Sequence, residues 1–93
     1  MKKIRSLALF TLLILAACSP VLPADGAIIP WDQAVELLRS GQVTMVVQLH
    51  SGDVSLTLDN GAVVHTVGPH LDAIFAEIQA CGAPCADTVQ AME

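Results

Sequence analysis

The chain has 93 residues, of which four are Lys or Arg and nine are Asp or Glu, so its formal net charge is −5. Three of the four basic residues lie in the first five positions, and without residues 1–17 the chain keeps one base, Arg39, against nine acids, a formal net charge of −8. Nucleic-acid binding requires clustered Lys and Arg, and a membrane-surface helix requires a basic polar face, so this pattern excludes both classes. The absence of Tyr also argues against an aromatic platform for bases or an aromatic-walled cofactor pocket.

The N-terminal segment has the three regions of an export signal. Basic residues within 1–5 precede an apolar run over 6–15, and Ala16-Ala17 supply the small residues before a cleavage point. The apolar run is too short for a membrane-spanning helix of about 20 residues. Residues 1–17 are therefore predicted to be a signal peptide that is removed.

The cleavage region, Leu15-Ala16-Ala17-Cys18, resembles the lipobox of bacterial lipoproteins. The resemblance implies cleavage before Cys18, attachment of a diacylglycerol to its sulfur and acylation of its new amine. It also implies a membrane anchor in the bacterial cell envelope, since each buried CH₂ of the acyl chains contributes about 0.8 kcal/mol. Ser19, in place of Asp, implies export to the outer membrane, facing the periplasm. The alternative is an ordinary secreted protein with a Cys near its cleavage site.

The mature chain is predicted to contain a tether and one small domain. Residues 18–29 are rich in Pro and Ala and lack periodicity, which is typical of a flexible linker. The hydrophobic pattern of residues 30–93 predicts an α+β fold in the order α-β-β-β-α, with a short C-terminal strand within 87–92. The simplest arrangement is an antiparallel meander of three to four strands with both helices packed on one face. The predicted elements are a helix over 31–39, strands over 42–50, 54–58 and 62–67, and a helix from Pro69 to Cys81.

Two predicted turns fix the expected strand register. Two-residue loops at Gly52-Asp53 and Asn60-Gly61 place Leu49, Leu56 and His65 on the core face, beside Val47, Leu58 and Val63. The opposite face is then mostly polar and open to solvent. It is the candidate interaction face, formed by Gln48, His50, Ser55, Thr57, Val64 and Thr66.

Residues 31–43, the turn at Asp59-Asn60-Gly61 and the pair Thr66-Val67 resemble the small extracytoplasmic domain of FtsH-type membrane proteases. The resemblance implies an α+β fold and contact with other envelope proteins. It implies no catalytic residue, because the chemistry of those proteases resides in cytoplasmic modules that this sequence lacks.

Cys81 and Cys85 are predicted to form a disulfide, because two cysteines four positions apart are exported to an oxidising compartment. Redox pairs use a helix N-terminus to stabilise the thiolate, whereas this pair follows the end of a predicted helix. The spacing, together with a distant His, is nevertheless similar to that of copper-delivery proteins. A periplasmic metal-binding or thiol-redox protein using this pair is therefore the alternative function.

The remaining patterns do not predict a catalytic set. His50 and Ser51 are strand neighbours that point to opposite faces, whereas a triad needs side chains that converge. His65 is expected to be half-buried at a sheet edge unless a shifted register or a bulge turns it to solvent, and His70 is expected in the first turn of the second helix. The sequence thus predicts a non-enzymatic adaptor lipoprotein without cofactor or metal, whose partner is an envelope protein with a basic surface.

Overall fold

The computed structural model describes residues 22–93. The predicted signal peptide, residues 1–17, and the predicted lipidation site, Cys18, lie outside the described residues. The order of the elements confirms the predicted α+β fold and its short C-terminal strand. The elements are α1 (Trp31–Arg39), β1 (Val43–Gln48), β2 (Asp53–Leu58), β3 (Val63–Val67), α2 (Ala73–Cys81), a 3₁₀ turn (Ala83–Cys85) and β4 (Val89–Met92).

The four strands form one sheet in the order β3-β2-β1-β4. Strands β1, β2 and β3 are antiparallel neighbours, as the predicted meander requires. Strand β4 instead lies parallel to β1, so the sheet is mixed. Helix α2 and the 3₁₀ turn carry the chain from the end of β3 back to the end of the sheet at which β1 begins.

Both helices pack on the same face of the sheet. Helix α1 buries Ala34, Val35 and Leu38, which belong to the predicted apolar stripe. Helix α2 buries Ile74 and Ile78, and these side chains join the sheet residues in one hydrophobic cluster.

Helix α2 begins later than the sequence predicts. Asp72 has a left-handed backbone conformation with φ of 69° and precedes the first helical residue, Ala73. His70 and Leu71 therefore lie in the preceding loop and not in the first helical turn, and Leu71 is 53% exposed.

The predicted register is wrong in both hairpins, because each loop has three residues where two were expected. The first loop is closed by the Leu49 N–H donating to the Asp53 carbonyl (2.8 Å) and the second by the Leu58 N–H donating to the Ala62 carbonyl (2.8 Å). Gly52 and Gly61, the third residue of each loop, have φ of 95° and 88°, as expected of a turn followed by a left-handed residue.

Strands β1 and β3 exchange faces relative to the prediction, whereas β2 keeps its predicted face. Val46 is opposite Leu56, Leu56 is opposite Val64, and all three are buried. An irregularity between Val43 and Met45 places Val43 in the core with Val46, whereas strict alternation would separate them.

The predicted interaction face is therefore divided between the two sides of the sheet. Gln48, Val64 and Thr66 are buried beneath the helices. Ser55 and Thr57 lie on the uncovered side, and His50 is in the first loop. On the predicted core face, Leu56 and Leu58 are buried as expected, whereas the remaining four lie on the uncovered side: Val47, Leu49, Val63 and His65.

Part of the predicted tether belongs to the fold. Residues 25–29, here called the flanking segment, run beside the outer edge of β3. The Gly26 N–H donates to the Val63 carbonyl (2.7 Å), and the Ile29 N–H donates to the His65 carbonyl (2.8 Å). Ile29 is buried and Leu22 packs against the core. The folded part therefore begins before Pro30, the predicted boundary.

Candidate functional site: the open face of the sheet

The side of the sheet away from the helices carries three rows of side chains, here called the open face. Cross-strand pairing aligns Met45 with Thr57 and with Val89 in the first row. In the second row Val47 is aligned with Ser55 and with Ala91. The open face consists of Met45, Val47, Leu49, Asp53, Ser55, Thr57, Val63, His65, Val67, Val89 and Ala91, with Ile28 of the flanking segment beside His65.

The open face is mainly apolar. Ile28 is 84% exposed, Val67 60% and Val89 57%. Soluble domains commonly expose single apolar side chains, but a contiguous apolar surface marks an interaction site. A shallow depression of about 430 Å³ crosses this surface between the flanking segment and the first hairpin, and its lining includes Ile28, Leu49 and Val67.

The polar centre of the open face is a cross-strand pair. Ser55 Oγ lies 3.2 Å from His65 Nδ1, so each polar group is satisfied by the other. Asp53, the neighbouring carboxylate, accepts a hydrogen bond from Ser51 Oγ (3.1 Å). Among residues 22–93, no carboxylate accepts a hydrogen bond from the His65 ring to orient it, as a Ser-His-Asp triad requires.

Five carboxylates lie at the two ends of the strands that form the open face, and one of them is the open-face residue Asp53. Asp25 accepts from the Val63 N–H at the start of β3, Asp59 follows β2 and Asp87 precedes β4. Asp53 and Glu93 lie at the opposite end of the strands. These five residues are here called the acidic rim. Arg39 is the single Lys or Arg of residues 22–93, and it lies in the helical layer, where its guanidinium contacts Glu77 at 2.9 Å.

Cys81 and Cys85 form the predicted disulfide pair, with their Cα atoms 5.8 Å apart. Cys85 is 3% exposed, and its Sγ lies 3.2 Å from the Leu38 carbonyl oxygen at the end of α1. The bonded pair therefore joins the end of α2 to the 3₁₀ turn beneath α1. In this state neither sulfur is a free thiolate that could bind a metal or attack another disulfide.

Two further properties concern the part of the chain that the structure describes. Within residues 22–93, no group of three or more His, Cys, Asp or Glu side chains is arranged to hold a metal ion. In the same range, no helix has the length and apolar composition needed to cross a bilayer.

No protein-family model matches the chain, and no curated protein shows significant similarity to it. The resemblances to lipoprotein signals and to the FtsH-type domain therefore stay predictions from the sequence.

The sequence does not identify several open-face residues. Its pattern predicts Val47 and His65 in the core and predicts no functional role for Val67 and Val89. A usable signal was present, because a Gly at the third position of each loop is typical of three-residue hairpins. Three-residue loops change the register of both hairpins and place Val47 on the open face.

Proposed function

We propose that this chain is a lipid-anchored lipoprotein of the bacterial cell envelope and that its domain is a non-enzymatic module that binds a protein partner through the open face. The observation that carries the proposal is the uncovered apolar side of the sheet. An amphipathic sheet normally buries its apolar side against a second layer. Here the helices provide that layer on one side, and a partner protein would provide it on the other.

The charge distribution selects the partner's chemistry. An apolar centre with an acidic rim fits a surface that has an apolar patch surrounded by Lys and Arg, because interfaces combine an apolar core with a complementary polar rim. A second copy of this chain would instead bring two acidic rims together. The favoured partner is therefore an envelope protein with a basic surface.

The open face is smaller than a standard protein interface, so a bound partner would also contact the acidic rim. Five strand widths of about 4.8 Å and six residues of about 3.3 Å give a surface of roughly 480 Å². A standard protein interface buries about 800 Å² on each partner. A partner of ordinary size would therefore extend over the acidic rim, where its basic residues would lie.

The proposed anchor would hold the domain close to the membrane. Leu22 packs against the core, and three residues, 19–21, separate it from Cys18. Four residue steps span at most about 14 Å. Because Asp25, Asp59 and Asp87 lie at the end where the chain enters the fold, anionic lipid headgroups would repel that end of the domain. The lipid, and not the protein surface, would provide membrane attachment.

Site-specific photo-cross-linking in the native bacterium tests the proposal. A photoreactive phenylalanine analogue replaces Met45 on the open face, and a control replaces Glu36 on the exposed side of α1. We expect a discrete adduct with another envelope protein from position 45 and none from position 36. Equal labelling from both positions, or an adduct with a second copy of the chain, would contradict the proposed docking.

Mass spectrometry of the mature N-terminus tests the anchor separately. The expected species begins at Cys18 and carries a diacylglycerol and an N-acyl group. An unmodified Cys18, or cleavage at another position, would exclude the lipoprotein assignment while leaving the docking test intact.

A further inference from the structure

The two edges of the sheet differ in their exposure. The outer edge of β3 is covered by the flanking segment, which satisfies backbone groups of Val63 and His65. On the other edge, Glu93 bonds to the end of β1 and to the loop after it. Its N–H donates to the Gln48 carbonyl (2.8 Å), and its carbonyl accepts from the His50 N–H (2.9 Å). In a parallel ladder, alternate residues bond to the same neighbour. Since Glu93 bonds towards β1, the backbone groups of Ala91 and Val89, two and four residues earlier, also bond to β1.

The backbone groups of Gln90 and Met92 consequently point away from the sheet. Among the described residues, neither has a backbone hydrogen bond to a turn, loop or cap. Unpaired N–H and C=O groups on an edge strand are a template for another strand. The flanking segment covers the β3 edge, whereas the β4 edge is uncovered among the described residues. A further strand can therefore add to the sheet at β4.

A shallow groove runs beside this edge on the helical side of the sheet. Gln90 and Met92 are aligned with Val46 and Gln48, whose side chains face the helices, so their own side chains lie on that side too. The groove is lined by Asp72, Phe75, Ala76, Gln79 and Met92. Phe75 also borders Gln90 and Ala91, so α2 forms one wall and β4 the other.

We propose that the β4 edge and this groove form a binding site for an extended segment of a partner protein, which adds to the sheet as a fifth full strand. Its backbone pairs with Gln90 and Met92. Alternate side chains enter the groove against Phe75 and Met92, and the others continue the open face beyond Val89. This mode combines main-chain hydrogen bonds for affinity with pockets for alternate side chains for selectivity. The site adjoins the proposed docking face along β4, but it recognises the backbone of an extended segment, whereas the open face would contact a folded surface.

The residues around β4 specify the segment. Phe75 and Met92 favour an apolar or aromatic side chain in the groove. Asp87 and Glu93 flank the two ends of β4, so the segment is short and carries Lys or Arg at its ends. A second copy of β4 fits poorly, since antiparallel pairing centred on Gln90 would place Asp87 of one chain opposite Glu93 of the other.

Selection from a random-peptide phage library tests the proposal on the full-length protein purified in detergent. Enriched peptides should alternate apolar and polar residues and carry Lys or Arg. The decisive variants are Gln90→Pro and Gln90→Ala. Both lose the Gln90 side chain, but Gln90→Pro also removes the outward backbone N–H, whereas Gln90→Ala keeps that N–H. We expect Gln90→Ala to retain binding and Gln90→Pro to weaken it at least about tenfold.

Amide hydrogen exchange keeps the test decisive if Gln90→Pro does not fold. Saturating peptide should slow exchange at the Gln90 and Met92 amides of the unsubstituted protein at least about tenfold and leave Gly61 unchanged. No enriched peptide, equal binding to a folded Gln90→Pro protein, or unprotected amides would overturn the proposal. Protection that appears without peptide at high protein concentration would identify a second copy as the occupant and overturn the partner assignment.

The outcome of the β4-edge test is independent of the open-face proposal. Val67→Lys changes the open face on β3, at the far side of the sheet from β4, so peptide binding should be unchanged in this variant. Peptide binding that is lost in Val67→Lys would show that the two surfaces are one site and would contradict a separate edge site.

Discussion

Replacing Gln48 by Leu tests how the sheet holds the start of α2. Gln48 is 2% exposed and contacts Asp72 twice. Its Oε1 accepts from the Asp72 N–H at 2.8 Å, and its Nε2 donates to Asp72 Oδ1 at 3.0 Å. The two hydrogen bonds hold Asp72 in its left-handed conformation, which sets where the helix begins.

The expected cost of Gln48→Leu is about 2 kcal/mol in the free energy of unfolding. A neutral hydrogen bond contributes about 1 kcal/mol and one to a charged group about 1.5 to 3 kcal/mol, and the better burial of Leu offsets part of the loss. Urea unfolding measures the change. With a slope of about 1 to 2 kcal/mol per molar for a small domain, the midpoint should fall by roughly 1 to 2 M.

The matched control is Gln33→Leu on the exposed side of α1, which should change stability by less than about 0.5 kcal/mol. A double-mutant cycle of Gln48→Leu with Asp72→Ala should give a coupling free energy of at least about 1 kcal/mol. If Gln48→Leu costs no more than the control, or if the coupling is zero, the two hydrogen bonds do not stabilise the fold and the reasoning is wrong.

Four other variants test the disulfide, the register and a buried hydroxyl. Replacing Cys81 and Cys85 together by Ser should lower the free energy of unfolding by about 2 kcal/mol, as expected for so small a loop, and reduction of the unsubstituted protein should have the same effect in thermal unfolding; no change would mean that the bridge is not stabilising. Val64→Ala should cost about 1 to 3 kcal/mol and the adjacent Val63→Ala less than about 1 kcal/mol in urea unfolding, and the reverse order would restore the register predicted from the sequence. Thr66→Val should leave stability unchanged or raise it by about 1 kcal/mol, because the Thr66 hydroxyl is buried without a hydrogen-bond partner in the described part of the chain; a loss above about 1 kcal/mol would reveal an unseen partner.

The local sequence pattern is sufficient to predict most of the helices and strands. The apolar stripe ending at Leu38 identified α1, and the turn residues at Asn60-Gly61 located the second hairpin. These signals depend on neighbours in the sequence, so they survive without knowledge of the tertiary structure. The same is true of the disulfide, because the four-residue spacing restricts where the two sulfurs can lie.

The faces of the sheet could not be assigned in this way, because register depends on loop length. Because the first loop has one residue more than predicted, Gln48 lies in the core and not on the face predicted to be open to solvent. Its side-chain amide is hydrogen-bonded to Asp72. The polar character of Gln48 and Thr66 was misleading, since a buried polar residue and an exposed one look alike in sequence. The pairing of residues 25–29 with β3 was missed because Gly26 and the neighbouring prolines are typical of a linker.

The affinity of the cross-linked partner for the purified protein tests the central claim most directly. Val67→Lys on the open face and Leu71→Lys in the loop before α2 are matched, because the original side chains are 60% and 53% exposed. Docking through the open face predicts at least about a tenfold loss of affinity for Val67→Lys and less than about twofold for Leu71→Lys. Equal effects of the two substitutions, or no effect of Val67→Lys, would contradict it.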